Sequence, residues 1–372
     1  MFGTVEVARL RVTLAIAALA VVAACGSDAG SGGGEAKADI ATAQAQLAEY
    51  SGKISGFPVD QPLESRPPAG TKFAFLQCIS PTCGIIGQAL GGAAKMLGVE
   101  LTVVKAGGSA SDQQAAMDSI IALKPDGVLM AGLDPTSIGA QIKQLTSAKV
   151  PVTTIGMQDT DQYGVQAPIN SGDAQKLYGK LMASHVVAKE GGKAKAVVYE
   201  VPELSFAPKV AAAFTAEMKL LCPACEVRKV GISLSTVGTS SPSKVVSDLQ
   251  AHPNTSVAVF TLYDAATGLP SALKTAGIEV NTIGLSPSPS NLQDIKNGDL
   301  GAAVAVDLPV MIWSAMDATA RVAAGQELTS GEKAGIPPVQ VIEKKDITSD
   351  PTKGFSGYPD FVERFSKLWK VS

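Results

Sequence analysis

The sequence predicts an α/β protein built from two doubly wound, parallel-sheet (Rossmann-like) lobes. From residue 71 onward, strand-like stretches alternate with helix-like ones, a pattern typical of βαβ units and parallel sheets. About ten strand-like stretches occur, which favours two open sheets over one. The chain of 372 residues is long enough for two domains. Since ligands of such sheets bind outside the carboxyl ends of the strands, two lobes predict an interdomain ligand cleft.

The first half of this alternation supplies four strands and the helices between them. The 126–132 segment, DGVLMAG, is a continuous apolar run of the kind that is buried on both faces. Ser111 and Gln114 have capping-box spacing, and Asp134 followed by proline reads as a helix N-cap. Strands are predicted over 71–78, 100–106, 126–132 and 150–156, and helices over 84–98, over 111–124 and from 134 onward.

The second half repeats the pattern. Ser288 is a candidate cap for the helix over 286–299, with Pro289 after it and Gly298 as its stop. The other helices are predicted over about 172–190, 206–221, 242–251, 264–276 and 310–325, and the strands over 195–201, 227–234, 256–262, 279–285 and 302–308.

The N-terminus carries the features of an exported lipoprotein. Arg9 and Arg11 precede an apolar run over 12–24, which is short for a membrane span and suits a signal-peptide core. The run ends in Val-Ala-Ala-Cys, and a Gly/Ser-rich spacer follows, which resembles a bacterial lipobox. This resemblance implies a signal peptide over 1–24, lipid on Cys25, and a linker and N-terminal extension over 25–70. The alternative is an ordinary secretory signal with an incidental cysteine.

Composition and motifs argue against several function classes. The net charge of −3 shows no excess of basic residues, so no nucleic-acid partner is predicted. The two histidines, His185 and His252, lack metal-spaced partners, so no metal site is predicted. The stretch GIIGQALGG (84–92) lacks the spacing of a dinucleotide-binding loop, and we assign its glycines to helix packing. We therefore expect neither a cofactor nor an enzyme activity.

Four cysteines remain after Cys25. Two of them, Cys222 and Cys225, lie in CPAC (222–225) at the C-terminal end of a predicted helix, where the helix dipole disfavours a thiolate. A structural disulfide between them is therefore favoured over a thioredoxin-type dithiol. Cys78 and Cys83 lie in QCISPTCG (77–84), a pattern consistent with a metal site, a redox centre or a disulfide that shapes a loop. Export places all four residues in an oxidising compartment.

Three stretches carry a family resemblance: 121–156, 260–278 and 283–307. Over about residues 71–330 the chain resembles the type I, sugar-binding (ribose/galactose) group of periplasmic-binding-protein-like receptors of ABC importers. Its tail over 358–371 looks like that of actinobacterial members. The resemblance implies three hinge crossings, near 157–170, 286–289 and 308–310. It also implies a first lobe of 71–158 plus 288–308, a second lobe of 165–285 plus 310–330, and a C-terminal extension over 331–372 that packs on the body.

The same resemblance places ligand-binding side chains in the loops that follow strands. Asp134 and Asp264 are alternatively helix N-caps, and Phe206 is alternatively a core residue. Asp159 and Asp161 are expected as solvated loop charges. Typical pentose or hexose sites of this family use stacked aromatic residues and bidentate arginines, which the first loop and the matching positions lack here, so the cleft suits a neutral or weakly polar ligand. We expect a small polar organic ligand that is sugar-like or related; the alternative is a less polar aromatic, terpenoid or nucleoside ligand. The matching positions are Ser80, Thr82, Cys83, Asp134, Met157, Gln158, Glu200, Phe206, Lys209, Tyr263, Asp264, Ser286 and Asp307.

The resemblance implies an extracytoplasmic, monomeric receptor, anchored to the outer face of the cell membrane through Cys25, that delivers its ligand to an ABC permease. The alternative is a ligand-sensing lipoprotein that signals through a membrane partner. In either role the 77–84 loop lies in the cleft, and the lack of histidine ligands favours a Cys78–Cys83 disulfide over a metal site. Such a clip is expected to hold Ser80 and Thr82 in one arrangement, which lowers the ordering cost of binding.

Overall fold

The computed structural model describes residues 37–79 and 81–371, apart from the side chains of residues 81 and 82. The predicted signal peptide, the predicted lipid acceptor Cys25 and the predicted ligand-binding Ser80 therefore lie outside the described residues. Within the described ranges, no helix combines the length and apolarity that a membrane crossing needs. The described chain forms two α/β lobes with largely parallel sheets, which confirms the predicted fold class.

The first lobe contains a five-stranded sheet. Its strands are β1 (Lys72–Gln77), β2 (Glu100–Lys105), β3 (Gly127–Ala131), β4 (Val152–Ile155) and β5 (Ala167–Ile169). All run parallel in the order β2-β1-β3-β4-β5. Strand β3 is buried along its whole length, as its apolar sequence predicts. The sequence did not predict β5, because three residues carry too little periodicity to identify a strand.

The second lobe contains a six-stranded sheet. Its strands are β6 (Lys195–Glu200), β7 (Glu226–Gly231), β8 (Val257–Phe260), β9 (Asn281–Leu285), β10 (Ala302–Val306) and β11 (Val339–Ile342). The order is β11-β10-β9-β8-β6-β7, and β11 is antiparallel to β10 while the other pairs are parallel. The C-terminal extension thus supplies one edge of this sheet.

Twelve α-helices lie in the described ranges and cover the sheets. Ser288 caps α9 as predicted, since its hydroxyl accepts the Asn291 N–H. The predicted cap of α3 is wrong: the capping box uses Ser109 and Asp112, whose carboxylate accepts the Ser109 N–H at 3.2 Å. The helices are α1 (Ile40–Ala48), α2 (Pro81–Leu97), α3 (Ala110–Ala122), α4 (Gly139–Ser147), α5 (Gly172–Glu190), α6 (Ala207–Leu221), α7 (Ser241–Ala251), α8 (Leu269–Ala276), α9 (Pro289–Asn297), α10 (Leu308–Ala323), α11 (Ser330–Ala334) and α12 (Phe361–Leu368).

The last part of the chain changes lobes at a different place than expected. We expected 288–308 in the first lobe, but β10 pairs with β9 and belongs to the second sheet. We expected 310–330 in the second lobe, but α10 packs on the first sheet, where Thr319 donates its hydroxyl hydrogen to Thr153 of β4 at 2.8 Å. Both assignments are corrected by these contacts, while the remaining lobe boundaries stay predictions.

Three crossings connect the lobes, and the expected crossing near 286–289 is not among them. The chain crosses between β5 and α5, between β10 and α10, and between α11 and β11. The crossings bind one another, because the Asn170 N–H donates to Gly335 O at 2.7 Å and the Asp307 N–H donates to Pro338 O at 2.8 Å. Gly335 has a φ of 64°, and a Cβ there would lie 2.5 Å from Pro168 O, so this approach requires glycine.

Both terminal extensions pack on the lobes. Helix α1 lies against α5 and α6, where Gln46 Nε2 donates to Glu217 at 2.8 Å. At the other end, Trp369 stacks on Trp313 with ring centroids 5.3 Å apart. Its Nε1–H donates to the buried carboxylate of Asp317 on α10 at 2.6 Å. The C-terminal residues are therefore fastened to the helix that returns to the first lobe.

Candidate ligand-binding site

The carboxyl ends of the strands bring predicted residues from both lobes to the cleft side of the sheets. Gln158 follows β4 in the first lobe, Glu200 ends β6 in the second, and Asp264 follows β8. Asp264 lies in a short 3-10 turn over Tyr263–Ala266, whereas α8 begins at Leu269, so Asp264 is not the N-cap of that helix. This arrangement is the one that open α/β sheets use for ligands.

These three side chains share one property that the sequence did not reveal. Gln158 Oε1, Glu200 Oε2 and Asp264 Oδ1 are buried atoms that accept no hydrogen bond from the described residues. Native proteins satisfy most buried polar atoms, because an unpaired one loses its hydration without replacement. Unpaired acceptors at strand ends of both lobes are candidate partners for the donors of a bound molecule; elsewhere in the described chain, Ser241 Oγ, Asn291 Nδ2 and Glu332 Oε1 are likewise buried without a partner.

Gln158 is held in place by the hinge. Its side chain is only 4% exposed, and Nε2 donates to Gln175 Oε1 on α5 at 3.0 Å. Gln175 in turn donates to Asn170 O at the first crossing, and Asn170 accepts the Tyr178 hydroxyl at 2.9 Å. The amide of Gln158 is thus oriented, with its unpaired oxygen fixed by a network that spans both lobes.

Burial and neighbouring groups set the charge properties of the second-lobe carboxyls. Burial raises the pKa of Asp264 above its ordinary value, although a hydrogen bond from the Ser288 hydroxyl opposes the shift. Glu200 Oε2 lies 3.6 Å from Lys229 Nζ, an ion pair without hydrogen-bond geometry. Burial therefore disfavours the ionised form of Asp264, whereas Glu200 has a nearby cation.

The two lobes also touch directly beside Gln158. Lys209 Nζ on α6 donates to both carboxylate oxygens of Asp159 at 2.8 Å. Next to this pair, the Ser205 hydroxyl donates to Gly156 O at 3.4 Å. Asp159 is exposed, as expected for a solvated loop charge, and its carboxylate is in addition paired across the lobes. No sequence pattern linked Asp159 to Lys209, which lie 50 residues apart.

Other predicted positions have structural partners in the described chain. Asp134 Oδ1 accepts the Thr136 N–H at 2.9 Å and its hydroxyl hydrogen at 2.7 Å, which is the N-cap alternative. Met157 and Tyr263 are fully buried, and the Tyr263 hydroxyl pairs with Thr282 at 2.9 Å. A role for these residues in ligand contact stays a prediction.

Asp307, at the crossing between β10 and α10, connects α10 to residues 356–358 through its carboxylate. One carboxylate oxygen accepts the Val310 N–H at 3.1 Å and so caps α10. The other accepts the Gly357 and Tyr358 N–H groups at 2.8 and 3.0 Å and the Ser356 hydroxyl at 3.3 Å. Burial raises the pKa of this carboxyl against the effect of these bonds. Both oxygens are thus used within the protein.

Ser286 and Phe206 lie in the loops that follow β9 and β6. Ser286 directly follows β9 with a φ of 53°, and its N–H donates to Val304 O at 2.9 Å. Phe206 precedes α6, is half-buried and packs against the main core, so it combines core contact with partial exposure. Ligand contacts of both residues stay a prediction.

Both expected disulfides are present. Cys78 and Cys83 are bonded, as are Cys222 and Cys225. Helix α2 begins at Pro81, so Cys83 belongs to its first turn and does not precede the helix as expected. The side chain of Thr82 lies outside the described residues. Within them, no group of three or more His, Cys, Asp or Glu residues is placed to hold a metal ion.

Comparisons with known proteins identify the fold. A family model described as "Periplasmic binding protein domain" matches residues 83–327. No curated protein matches the sequence. Among solved structures, the chain is similar to a 5-methylthioribose transporter solute binding protein from Thermotoga lettingae TMO, with a TM-score of 0.67 and 16% identity over 84% of this chain and 100% of that one.

Two further solved structures have the same architecture. The glucose-galactose binding protein GanP from Geobacillus stearothermophilus has a TM-score of 0.64 and 19% identity, covering 76% of this chain and 100% of that one. A carbohydrate transporter from Acidothermus cellulolyticus 11B, in complex with myo-inositol, has a TM-score of 0.64 and 17% identity, covering 79% of this chain and 99% of that one. At these identities the structures show a shared fold.

Proposed function

Because this chain belongs to the family of periplasmic binding proteins, we propose that it is the solute-binding protein of an ABC importer. It captures a small polar organic ligand, sugar-like or related, between its two lobes and delivers that ligand to the permease. Lipid on Cys25 holds the protein at the outer face of the cell membrane. In this role the protein is a monomeric receptor and catalyses no reaction.

The observation that carries the proposal is the chemistry of the unpaired atoms at the strand ends. Gln158 Oε1, Glu200 Oε2 and Asp264 Oδ1 are all acceptors, so their natural complement is a molecule rich in hydroxyl donors. Sugars and polyols carry several such donors on a small neutral frame. Lys209, the cation among the predicted residues, is already paired with Asp159, which disfavours a phosphate or carboxylate ligand.

The descriptions of the similar structures point to the same chemistry. They name 5-methylthioribose, glucose and galactose, and myo-inositol, each of which bears several hydroxyl groups. These descriptions favour a polar, hydroxyl-bearing ligand over an aromatic or terpenoid ligand without hydroxyls.

The placement of the acceptors supports capture by closure. Gln158 belongs to the first lobe, while Glu200 and Asp264 belong to the second. A ligand that bonds to both sets bridges the lobes and stabilises the closed form, which is the hinge motion of two-lobed receptors. The three crossings, tied by Asn170 and Asp307, act as the hinge.

A ligand screen on the purified protein tests this proposal. In a thermal-shift assay with hexoses, pentoses, polyols and carboxylates, we expect a hydroxyl-rich compound at 100 times its Kd to raise the Tm by about 5 °C, and carboxylates to have no effect. Gln158→Met keeps the side-chain length but removes both the unpaired acceptor and the Nε2–H bond to Gln175, and should weaken binding about 10- to 100-fold. Gln144→Met, at an exposed position on α4, is the matched control.

The outcomes separate clearly. The proposal is wrong if no hydroxyl-bearing compound shifts the Tm, or if a carboxylate binds tightly. Equal affinity of the Gln158→Met and Gln144→Met variants would remove Gln158 from the site.

A further inference from the structure

Both terminal extensions pass from one lobe to the other beside the three crossings. The described part of the N-terminal extension starts on the second lobe, where α1 packs against α5 and α6. It reaches the first lobe at Arg66, whose guanidinium donates to Leu97 O of α2 at 3.2 Å. After β11 in the second sheet, the C-terminal extension ends in α12, which packs on α10 of the first lobe. Neither extension lies within residues 83–327, the range that matches the family model.

The N-terminal extension changes lobes within a few residues. The Val339 N–H of β11 donates to Ser55 Oγ at 2.9 Å, and the Ser55 N–H donates to Val339 O at 3.2 Å, which attaches Ser55 to the second sheet. Three residues later, Pro58 O accepts the hydroxyl hydrogen of Thr329 at 2.9 Å, at the start of α11, which packs on the first sheet. Three residues extend over at most about 11 Å, so little slack separates the two attachment points.

Close packing holds this part of the chain in place. A Cβ placed on Gly331 of α11 would lie 2.3 Å from Pro58 O, and a Cβ placed on Gly357 would lie 2.5 Å from Cγ1 of Ile54. Glycine, which has no Cβ, permits both approaches. The N-terminal extension is therefore fitted against elements of the hinge region on both sides.

The two extensions also bind each other at the hinge. Tyr358 donates its hydroxyl hydrogen to Ser55 O at 2.7 Å, and its ring meets that of Phe57 edge-on, with centroids 5.0 Å apart. The Tyr358 N–H donates to Asp307 at the crossing between β10 and α10. The contacts thus link both extensions to a crossing. We call the bonded segments of the two extensions the hinge brace: residues 55–58 and 356–358.

The hinge brace is formed in the same structure in which the lobes touch. Lys209 of the second lobe is bonded to Asp159 of the first. A hinge rotation that separates this pair also moves the attachment point of Ser55 relative to that of Pro58. Because the segment between them has little slack, such a rotation must break bonds of the brace or distort it. The brace therefore favours the arrangement in which the lobes are in contact.

We propose that the hinge brace restricts opening of the ligand-free protein and holds the lobes close to their ligand-binding arrangement. A receptor that is largely closed before its ligand arrives has a larger binding-competent fraction, and its apparent affinity rises in proportion. This gain in affinity rests on the proposed function, whereas the restriction of opening is a property of the extensions themselves and holds for any ligand.

The test adds length to the hinge brace without removing its contacts. Inserting Gly-Ser-Gly-Ser between Gly56 and Phe57 keeps the bonds of Ser55 and Pro58 available and gives the segment between them slack. The same insertion after Glu279, an exposed residue in the loop between α8 and β9 of the second lobe, is the matched control. Thermal unfolding of both proteins checks that each one folds.

Spin labels on the sheet edges farthest from the hinge report the opening. Strands β2 and β7 form the outer edges of the two sheets, while the crossings lie beside β5, β10 and β11, toward the opposite edges. The labels are placed on Ala110→Cys and Ser240→Cys, exposed positions where the helices after these strands begin, in a Cys25→Ala background. The other four cysteines are held in disulfides. Pulsed electron–electron double resonance on the ligand-free protein should give a longer mean label distance with the brace insertion and the wild-type distance with the control insertion.

Each outcome supports or overturns the inference. A longer distance with the brace insertion alone supports it. Wild-type distances in both proteins, or the same lengthening in both, overturn it, while the ligand screen decides the proposed function independently. If the brace insertion does not fold, Tyr358→Phe, which removes the bond to Ser55 O, takes its place. That variant should show a smaller lengthening in the same direction, and an unchanged distance overturns the inference.

Discussion

Replacing Asp264 by asparagine should strengthen the fold and weaken ligand binding at the same time. The Asp264 carboxyl is buried, its Oδ1 has no partner among the described residues, and burial raises its pKa. Asparagine keeps an acceptor for the Ser288 hydroxyl but removes the buried charge. An unpaired buried group costs about 1–3 kcal/mol and a charged one more, so the free energy of unfolding of the ligand-free protein should rise by about 1 kcal/mol. Binding should weaken about 10- to 100-fold, because bonds to a charged acceptor contribute about 1.5–3 kcal/mol.

The pH dependence of stability gives the same prediction a second readout. A carboxyl whose pKa is raised in the folded state binds its proton more tightly there than in the unfolded chain. The stability that Asp264 contributes is therefore fully present below its unfolded pKa, near pH 4, and is lost as the pH rises through the raised folded pKa. The asparagine variant should lack this loss, so its gain over the wild type should grow with pH across that window.

The matched control, Asp248→Asn, should change stability in the opposite direction. Asp248 lies in the same lobe, but Arg228 donates two hydrogen bonds to it at 2.8 Å and the Tyr199 hydroxyl donates a third at 2.7 Å. These bonds lower the pKa of Asp248, so Asp248→Asn should reduce stability by about 1–3 kcal/mol. Urea unfolding of both variants between pH 4 and pH 8, with titration calorimetry for the ligand, provides the measurement. If Asp264→Asn is less stable than the wild type at neutral pH, Asp264 is an ordinary structural carboxylate and the reasoning is refuted.

Three other perturbations have defined outcomes. Trp369→Phe keeps most of the stacked area but removes the bond to buried Asp317, so urea unfolding should show a loss of about 1.5–3 kcal/mol; an unchanged midpoint would contradict that role. Lys209→Met breaks an exposed pair with Asp159 that should contribute about 0.2–1 kcal/mol, so calorimetry should show less than a fivefold change in Kd, smaller still at high salt. A 100-fold loss would instead make Lys209 a direct ligand contact. Cys25→Ala should release the protein from membranes in cell fractionation while Kd and Tm stay constant, and retained lipid labelling of that variant would disprove the anchor.

The sequence anticipated the elements that depend on neighbouring residues. Apolar runs such as that of β3, the Ser288 cap and the CPAC clip are local features, because the groups that interact are a few positions apart. The predicted ligand set also included Gln158, Glu200 and Asp264, since residues that follow strands collect at one edge of a parallel sheet.

The unpaired acceptors, by contrast, follow from packing over long separations. Whether Gln158 Oε1 has a donor depends on Gln175 and the hinge around it, and whether Asp159 is paired depends on Lys209. Likewise, the Asp307 carboxylate accepts hydrogen bonds from the Ser356 hydroxyl and from the backbone N–H groups of Gly357 and Tyr358. These partners come from other elements, so no spacing in the sequence encodes them.

By itself, then, the sequence determined the class of fold, most of the strands and helices between residues 71 and 325 in their order, and the cysteine pairs. The tertiary structure decided which lobe receives β10 and α10, which carboxylates form hydrogen bonds within the protein and which acceptors stay unpaired. The physical reason is that a buried strand or an amphipathic helix has the same apolar pattern in either lobe. The lobe that such an element joins is decided only by the sheet edge or face on which it packs, through the hydrogen bonds formed and the water excluded there.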